Sequence, residues 1–162
     1  MGRKMAASFF REKKIPLIHQ KVALLANYPD SKCEIKREKS LIWSGKIRPT
    51  AISKEYSILI CWKTGMAPHI WAFGDELERL DDPDFPHKYD INADSKMVRL
   101  CLYRYQEFSS YKFMAKTIIP WTVEWLYHYE IWLATGEWCG GGEHPSSSDV
   151  KVEDPLDCVI SI

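Results

Sequence analysis

The spacing of apolar and polar positions changes character twice along this chain. Residues 17–27 place Leu17, Ile18, Lys21, Val22 and Leu25 at helical intervals, with Pro16 at a favoured first-turn position, and predict a short amphipathic helix. Asn27-Tyr28-Pro29-Asp30 stops it. The period then drops to two. Cys33 and Ile35 alternate with Lys32, Glu34 and Lys36 over 32–37, and 41–48 follows after a polar turn, with Gly45 as an irregularity. Over 55–63, Tyr56, Ile58, Ile60 and Trp62 alternate with Ser57, Leu59, Cys61 and Lys63. Thr64-Gly65 turns the chain into a fourth short strand, His69 to Phe73. Connections this short between consecutive strands predict an antiparallel meander.

From Gly74 to Lys96 the pattern collapses, and Asp81, Asp82, Pro83, Asp84 and Pro86 argue against a regular element there. A long irregular stretch inside a compact domain is uncommon and usually functional. It delivers the chain to 98–103, where Val98, Leu100 and Leu102 fall on one face and Arg99, Cys101 and Tyr103 on the other. That alternation predicts leucines in the core and a thiol pointing out between Arg99 and Tyr103. After Pro120 the helical period returns: Trp121, Trp125, Tyr129 and Trp132 form a stripe that Leu126 and Leu133 widen, and Gly136 is a natural stop. From Gly140 the chain is rich in Gly, Ser and Pro and then acidic. The expected organisation is one α+β domain over 1–145 and a mobile tail over 146–162.

Composition narrows the function. The 22 basic and 22 acidic residues cancel, so neither nucleic acid nor an anionic membrane is the expected partner, because both call for a net basic surface. The apolar stretch Ala6 to Phe10 is too short for a signal peptide, and no apolar run approaches the ~20 residues of a membrane span. The five cysteines, Cys33, Cys61, Cys101, Cys139 and Cys158, are odd in number and contain no C-x-x-C pair. Reduced thiols in a cytoplasmic protein are the simplest reading.

Cys101 is the leading candidate for chemistry. It reads either as a buried structural cysteine or as a carrier thiol holding an acyl group as a thioester. Its place on a polar face, after an irregular stretch and beside Arg99 and Arg104, favours the second, since a nearby cation favours the thiolate. His87, in Pro86-His87-Lys88-Tyr89, is either a structural histidine or a buttress for the loop beside the thiol. Asn92 is either a turn residue or an amide donor to the oxyanion of a tetrahedral intermediate. Cys33 and Cys61 fall in strand patterns and belong to the core. Cys139, His144 and Cys158 lack zinc-finger spacing, so no metal is expected. His128 and His144 would be the histidines of a cysteine hydrolase, although His128 sits in the Trp-rich helix, where packing is the simpler role. No nucleophile elbow, P-loop or dinucleotide fingerprint is present, and no cofactor is expected.

The order of short helix, four-strand meander, irregular stretch with Pro86-His87, Leu100-Cys101-Leu102 and helix resembles the ubiquitin-conjugating enzyme fold. Ser44-Gly45-Lys46-Ile47-Arg48-Pro49 and Tyr56-Ser57-Ile58 look like its second and third strands. A closer resemblance is to the bacterial ubiquitin-conjugating-like protein of short type II CBASS, a cyclic-oligonucleotide-based anti-phage signalling system. It is carried over roughly residues 30–145 by Gly65-Met66-Ala67-Pro68-His69-Ile70-Trp71, Leu100-Cys101-Leu102-Tyr103, Thr117-Ile118-Ile119-Pro120-Trp121-Thr122 and the run from Glu124 to Trp138, extended by Gly140 to Pro145. The chain departs from the eukaryotic His-Pro-Asn tripeptide: the order here is Pro86-His87, and Asn92 stands apart. Relatives have a short glycine turn before the cysteine, where this chain has the longer Asn92-Ala93-Asp94-Ser95-Lys96-Met97. The resemblance implies an enzyme whose Cys101 takes the C-terminus of the system's cyclic-nucleotide synthase as a thioester and passes it to an amine, priming the synthase. A non-catalytic binding module of the same fold is the first alternative, and a cysteine hydrolase the second.

Overall fold

A computed structural model describes residues 13–103 and 107–141. Arg104, His144, Cys158 and the tail expected over 146–162 lie outside the described residues. The order of elements is α1 (Leu17–Asn27), β1 (Lys32–Lys36), β2 (Ser40–Ile47), β3 (Tyr56–Lys63), β4 (His69–Phe73), β5 (Lys88–Asn92), β6 (Met97–Leu100), a single 3-10 turn (Met114–Lys116) and α2 (Ile118–Thr135). The mixture of helices with an antiparallel sheet is the expected α+β class.

Strands β1 to β4 pair consecutively and antiparallel, as their alternation and short turns predict. The sheet does not stop at four strands. It has six, in the order β1-β2-β3-β4-β6-β5, so the chain skips one place after β4 and returns to fill it. Strand β5 lies inside the stretch expected to hold no regular element. Its five residues carry little apolar alternation of their own, and four of the five are only half-buried. What makes them a strand is the ladder offered by β6, a non-local cause.

The core packs one sheet face against α2 and the 3-10 turn. Leu41, Trp43, Ile58, Ile60, Val98 and Leu100 meet Met114, Ile118 and Leu126 in one buried cluster. Helix α2 begins at Ile118, one turn earlier than Pro120 suggests, because a first-turn residue has no intrahelical use for its N–H. It ends at Gly136, which takes the left-handed conformation (φ +78°) and donates its amide to the Trp132 carbonyl. Trp125, Tyr129 and Trp132 are buried as the stripe predicts, and all three pack on Phe85 from the irregular stretch. Trp121 is only half-buried.

Helix α1 buries a different face from the expected one. Ile18 and Val22 are exposed, and Leu24 and Gln20 are fully buried. A polar residue can take a core position here because its amide is satisfied twice: Gln20 Nε2 donates to the Lys112 carbonyl (2.8 Å), and Oε1 accepts from the Met114 amide (2.9 Å). Cys33 and Cys61 are buried, as expected, and burial pushes the Cys33 thiol up to about 11.

Candidate active site

Cys101 is the first residue after β6, not a member of the strand. Its amide extends the ladder one step beyond the Lys88–Leu100 pair by donating to the His87 carbonyl at 3.1 Å. That carbonyl also accepts from the Trp125 indole Nε1 at 2.8 Å, so both of its lone pairs are used. His87 turns the chain with a positive φ of 51°, and its buried ring packs at a tilt on Trp138, 4.9 Å between centroids. The structure therefore brings His87 and Cys101 together through the main chain. The loop entry, the end of β6, α2 and the segment after α2 meet at this one residue.

The pairing of β5 with β6 is irregular. Lys88 faces Leu100 and Ile91 faces Val98, which leaves two residues, Tyr89 and Asp90, opposite the single Arg99. Such a two-against-one bulge re-aims side chains that a regular strand would send to opposite faces. Arg99 lies with its guanidinium 4.6 Å from the Tyr89 ring centroid, its Nε 3.0 Å from Asp90 Oδ2 and its Nη1 3.4 Å from His69 Nε2. The approach to Asp90 is an ion-pair contact without hydrogen-bond alignment. Both members are largely shielded, with side-chain exposures of 8% for Arg99 and 12% for Asp90. The expectation that Arg99 flanks the thiol on a solvent-facing surface is thus corrected: the side of β6 opposite the leucines is covered by β5 residues. Alternation on one strand cannot reveal a neighbour that arrives from elsewhere in the chain.

The thiol itself is half-buried, and its Sγ lies 3.4 Å from the Tyr89 hydroxyl. Tyr103 closes the other side. Its ring packs on Trp121 at 5.2 Å, and its hydroxyl donates to the Pro68 carbonyl at 3.5 Å. Burial, reinforced by the negative charge that Tyr89 and Cys101 carry when ionised, holds the Tyr103 phenol well above its ordinary range. Tyr103 also lines an open cleft of about 250 Å³ with Trp62, Pro68 and Phe108.

Asn92 is not part of this group. It pairs with Met97 at the opposite end of β6, so about 13 Å of strand separates it from Cys101. Its Oδ1 accepts from the Ser95 amide at 3.0 Å and shapes the β5–β6 turn. His128 packs on Trp138 (5.8 Å between centroids), with Nε2 3.9 Å from Glu124. Cys139 is exposed, and the described residues hold no cluster of three or more His, Cys, Asp or Glu side chains able to bind a metal ion. No helix among them is long and apolar enough to cross a membrane.

Tyr89, Asp90, Trp125 and Trp138 are the site residues that sequence reasoning missed. For Trp125 the apolar stripe hid a polar task, since its indole donates to the His87 carbonyl; Trp138 lies beyond the helix stop, where no periodicity predicts that its ring packs on His87. For Tyr89 and Asp90 the only signal is adjacency to Pro86-His87, which carries no information about a bulge.

Compared with known proteins, the chain matches the model of the E2-CBASS family, described as the type II CBASS E2 protein, over residues 20–145. No curated protein matches it.

Proposed function

Because the chain belongs to the type II CBASS E2 family, we propose that Cys101 carries the C-terminal acyl group of the system's cyclic-nucleotide synthase as a thioester and delivers it to an amine. The observation that carries this reading is the setting of the sulfur. Cys101 is the first residue beyond a sheet-anchored strand, its amide is fixed to His87, and its half-buried thiol stands beside Tyr89 instead of inside the apolar core. Fixed backbone beneath a reachable sulfur is what acyl transfer needs, since orientation supplies much of the rate.

In this reading the Cys101 thiolate attacks an activated carboxyl of the partner chain, an acyl anhydride or a thioester, and expels its leaving group. An incoming amine then adds to the thioester carbonyl. That addition forms the C–N bond and an oxyanion; the nitrogen gives up a proton to solvent, and collapse of the adduct restores the carbonyl, breaks the C–S bond and returns its electron pair to sulfur. His87 holds the loop in place, and Asn92 closes the β5–β6 turn without reaching the reacting carbonyl.

Co-expression with the neighbouring synthase, followed by intact-mass analysis under non-reducing conditions, tests the reading. A hydroxylamine-labile adduct that survives Cys139→Ser and vanishes in Cys101→Ala is expected. An adduct that persists in Cys101→Ala, or full anti-phage function of that variant, overturns the carrier role and leaves a binding module.

A further inference from the structure

The bulge in β5 has a product beyond an irregular ladder: it puts a phenol on the reactive sulfur. We infer that Tyr89 is a catalytic residue whose hydroxyl holds the Cys101 sulfur as a thiolate, with Arg99 and Asp90 as the positioning pair that fixes the ring. The inference rests on the acyl-carrier reading for its biological use, but not for its geometry.

Tyr89 Oη lies 3.4 Å from Cys101 Sγ. While the thiol keeps its proton, sulfur donates to the phenol oxygen. Once it ionises, sulfur can only accept, and the phenol O–H turns to donate to it. A hydrogen bond to the charged form stabilises that form, and a charge-assisted bond is stronger than its neutral counterpart. The same bond serves twice in the transfer cycle. It supports the attacking thiolate during loading. During discharge, as the C–S electron pair returns to sulfur, it supports the leaving thiolate. The amine proton is lost to solvent, and Tyr89 keeps its own, so no co-reactant beyond the acyl donor and the amine is required.

Tyr89 can hold this position because its ring is clamped. The Arg99 guanidinium covers its face at 4.6 Å, and Arg99 is in turn held by Asp90 and contacts His69. A regular β5 would present only one of Tyr89 and Asp90 to Arg99; the bulge presents both. Among the described residues, the ionisable groups facing the sulfur include Tyr89 on β5 and Tyr103 in the following loop, while Asp90 on β5 and His69 on β4 face Arg99 on β6. Of these, Tyr89 brings its hydroxyl within hydrogen-bond reach of Sγ.

The test uses the isolated full-length protein. Alkylation of Cys101 by iodoacetamide is followed from pH 6 to pH 10 by peptide mass spectrometry, with exposed Cys139 as the reference thiol in the same tube. Tyr89→Phe keeps the ring under Arg99 and deletes only the hydroxyl. Its Cys101 midpoint rises by about one pH unit while that of Cys139 stays put. Arg99→Lys keeps the charge beside Asp90 but not the flat cover on the ring; it raises the midpoint in the same direction, and the double variant adds nothing to Tyr89→Phe. An unchanged midpoint in Tyr89→Phe overturns the inference, and additive shifts in the double variant overturn the clamp. On the loaded conjugate, discharge to free lysine slows about five- to tenfold in Tyr89→Phe. Failure of wild type to load defeats the acyl-carrier reading alone, because the alkylation profile is read without partner.

Discussion

The main-chain carbonyl of His87 accepts a hydrogen bond from the main-chain amide of Cys101. The tie involves no side chain of either residue, so the position of the thiol is set by backbone that most substitutions leave in place. His87 matters to the site chiefly through its carbonyl and its unusual turn.

Replacing the His87 ring therefore costs stability more than chemistry. His87→Ala removes the ring contact with Trp138 and lowers unfolding free energy by about 1–2 kcal/mol, while adduct formation at Cys101 stays within a few-fold of wild type. His87→Gly is at least as stable as His87→Ala, because glycine adopts a φ of +51° without a Cβ penalty. Urea unfolding and intact mass read the two effects. Complete loss of loading in a folded His87→Ala protein would give the imidazole a direct role.

The Arg99–Asp90 pair gives a larger signal. Asp90→Ala leaves a shielded guanidinium without its carboxylate and costs about 3–5 kcal/mol. Replacing both partners, as Asp90→Leu with Arg99→Met, recovers most of that loss, since no unpaired charge is left buried. The double variant still loses the clamp on Tyr89, so restored stability with an altered Cys101 alkylation profile is the expected combination.

Gly140 has no room for a side chain. A Cβ there would stand 2.7 Å from both His128 Cδ2 and Trp138 Nε1. Gly140→Ala pushes Trp138 off the His87 ring at a cost of about 1–3 kcal/mol, visible as a lower melting temperature and a shifted tryptophan emission. An unchanged melting curve would mean that the segment after α2 does not press on the site.

Rising pH above 10 is expected to destabilise the fold through its buried tyrosines. Burial raises the phenols of Tyr56, Tyr103 and Tyr129, the last to about 12, from an ordinary value of 10.0. Between those two values the unfolded chain has released the proton that the folded chain retains. The unfolded state then binds fewer protons, so stability is fully present below pH 10 and falls as pH rises, by up to about 1.4 kcal/mol per pH unit for each such group. Urea midpoints measured from pH 8 to pH 11 show the decline. Tyr129→Phe makes it shallower while lowering stability at pH 8, where its hydroxyl otherwise serves both the amide and the carbonyl of Glu78.

The elements that sequence patterning located are those whose signal is local. Strands β1 to β4 alternate on their own account, and α2 carries a stripe of large rings ended by Gly136. Strand β5 is invisible to the same reading because Lys88-Tyr89-Asp90-Ile91-Asn92 becomes a strand only by borrowing hydrogen bonds from β6. The burial of Gln20 escapes for a related reason: its partners, Lys112 and Met114, are remote in sequence. At the site, the setting of Cys101 and the proline beside His87 are local signals. Arg99 reads as a cation in water, since nothing in its own strand announces the carboxylate and ring that enclose it. Asn92 is near Cys101 in sequence but not in space, because an extended strand converts the four residues from Met97 to Cys101 into distance.

Gln20 is a rivet between the first helix and the segment that follows the sulfur. One amide pins the first helix to the stretch through which the polypeptide continues after the sulfur, and a second fastening, from the Ile15 amide to the Ser110 carbonyl, lies close by. The first helix cannot tilt or slide without dragging that stretch along. The two travel as one block, and a load applied to either reaches the other.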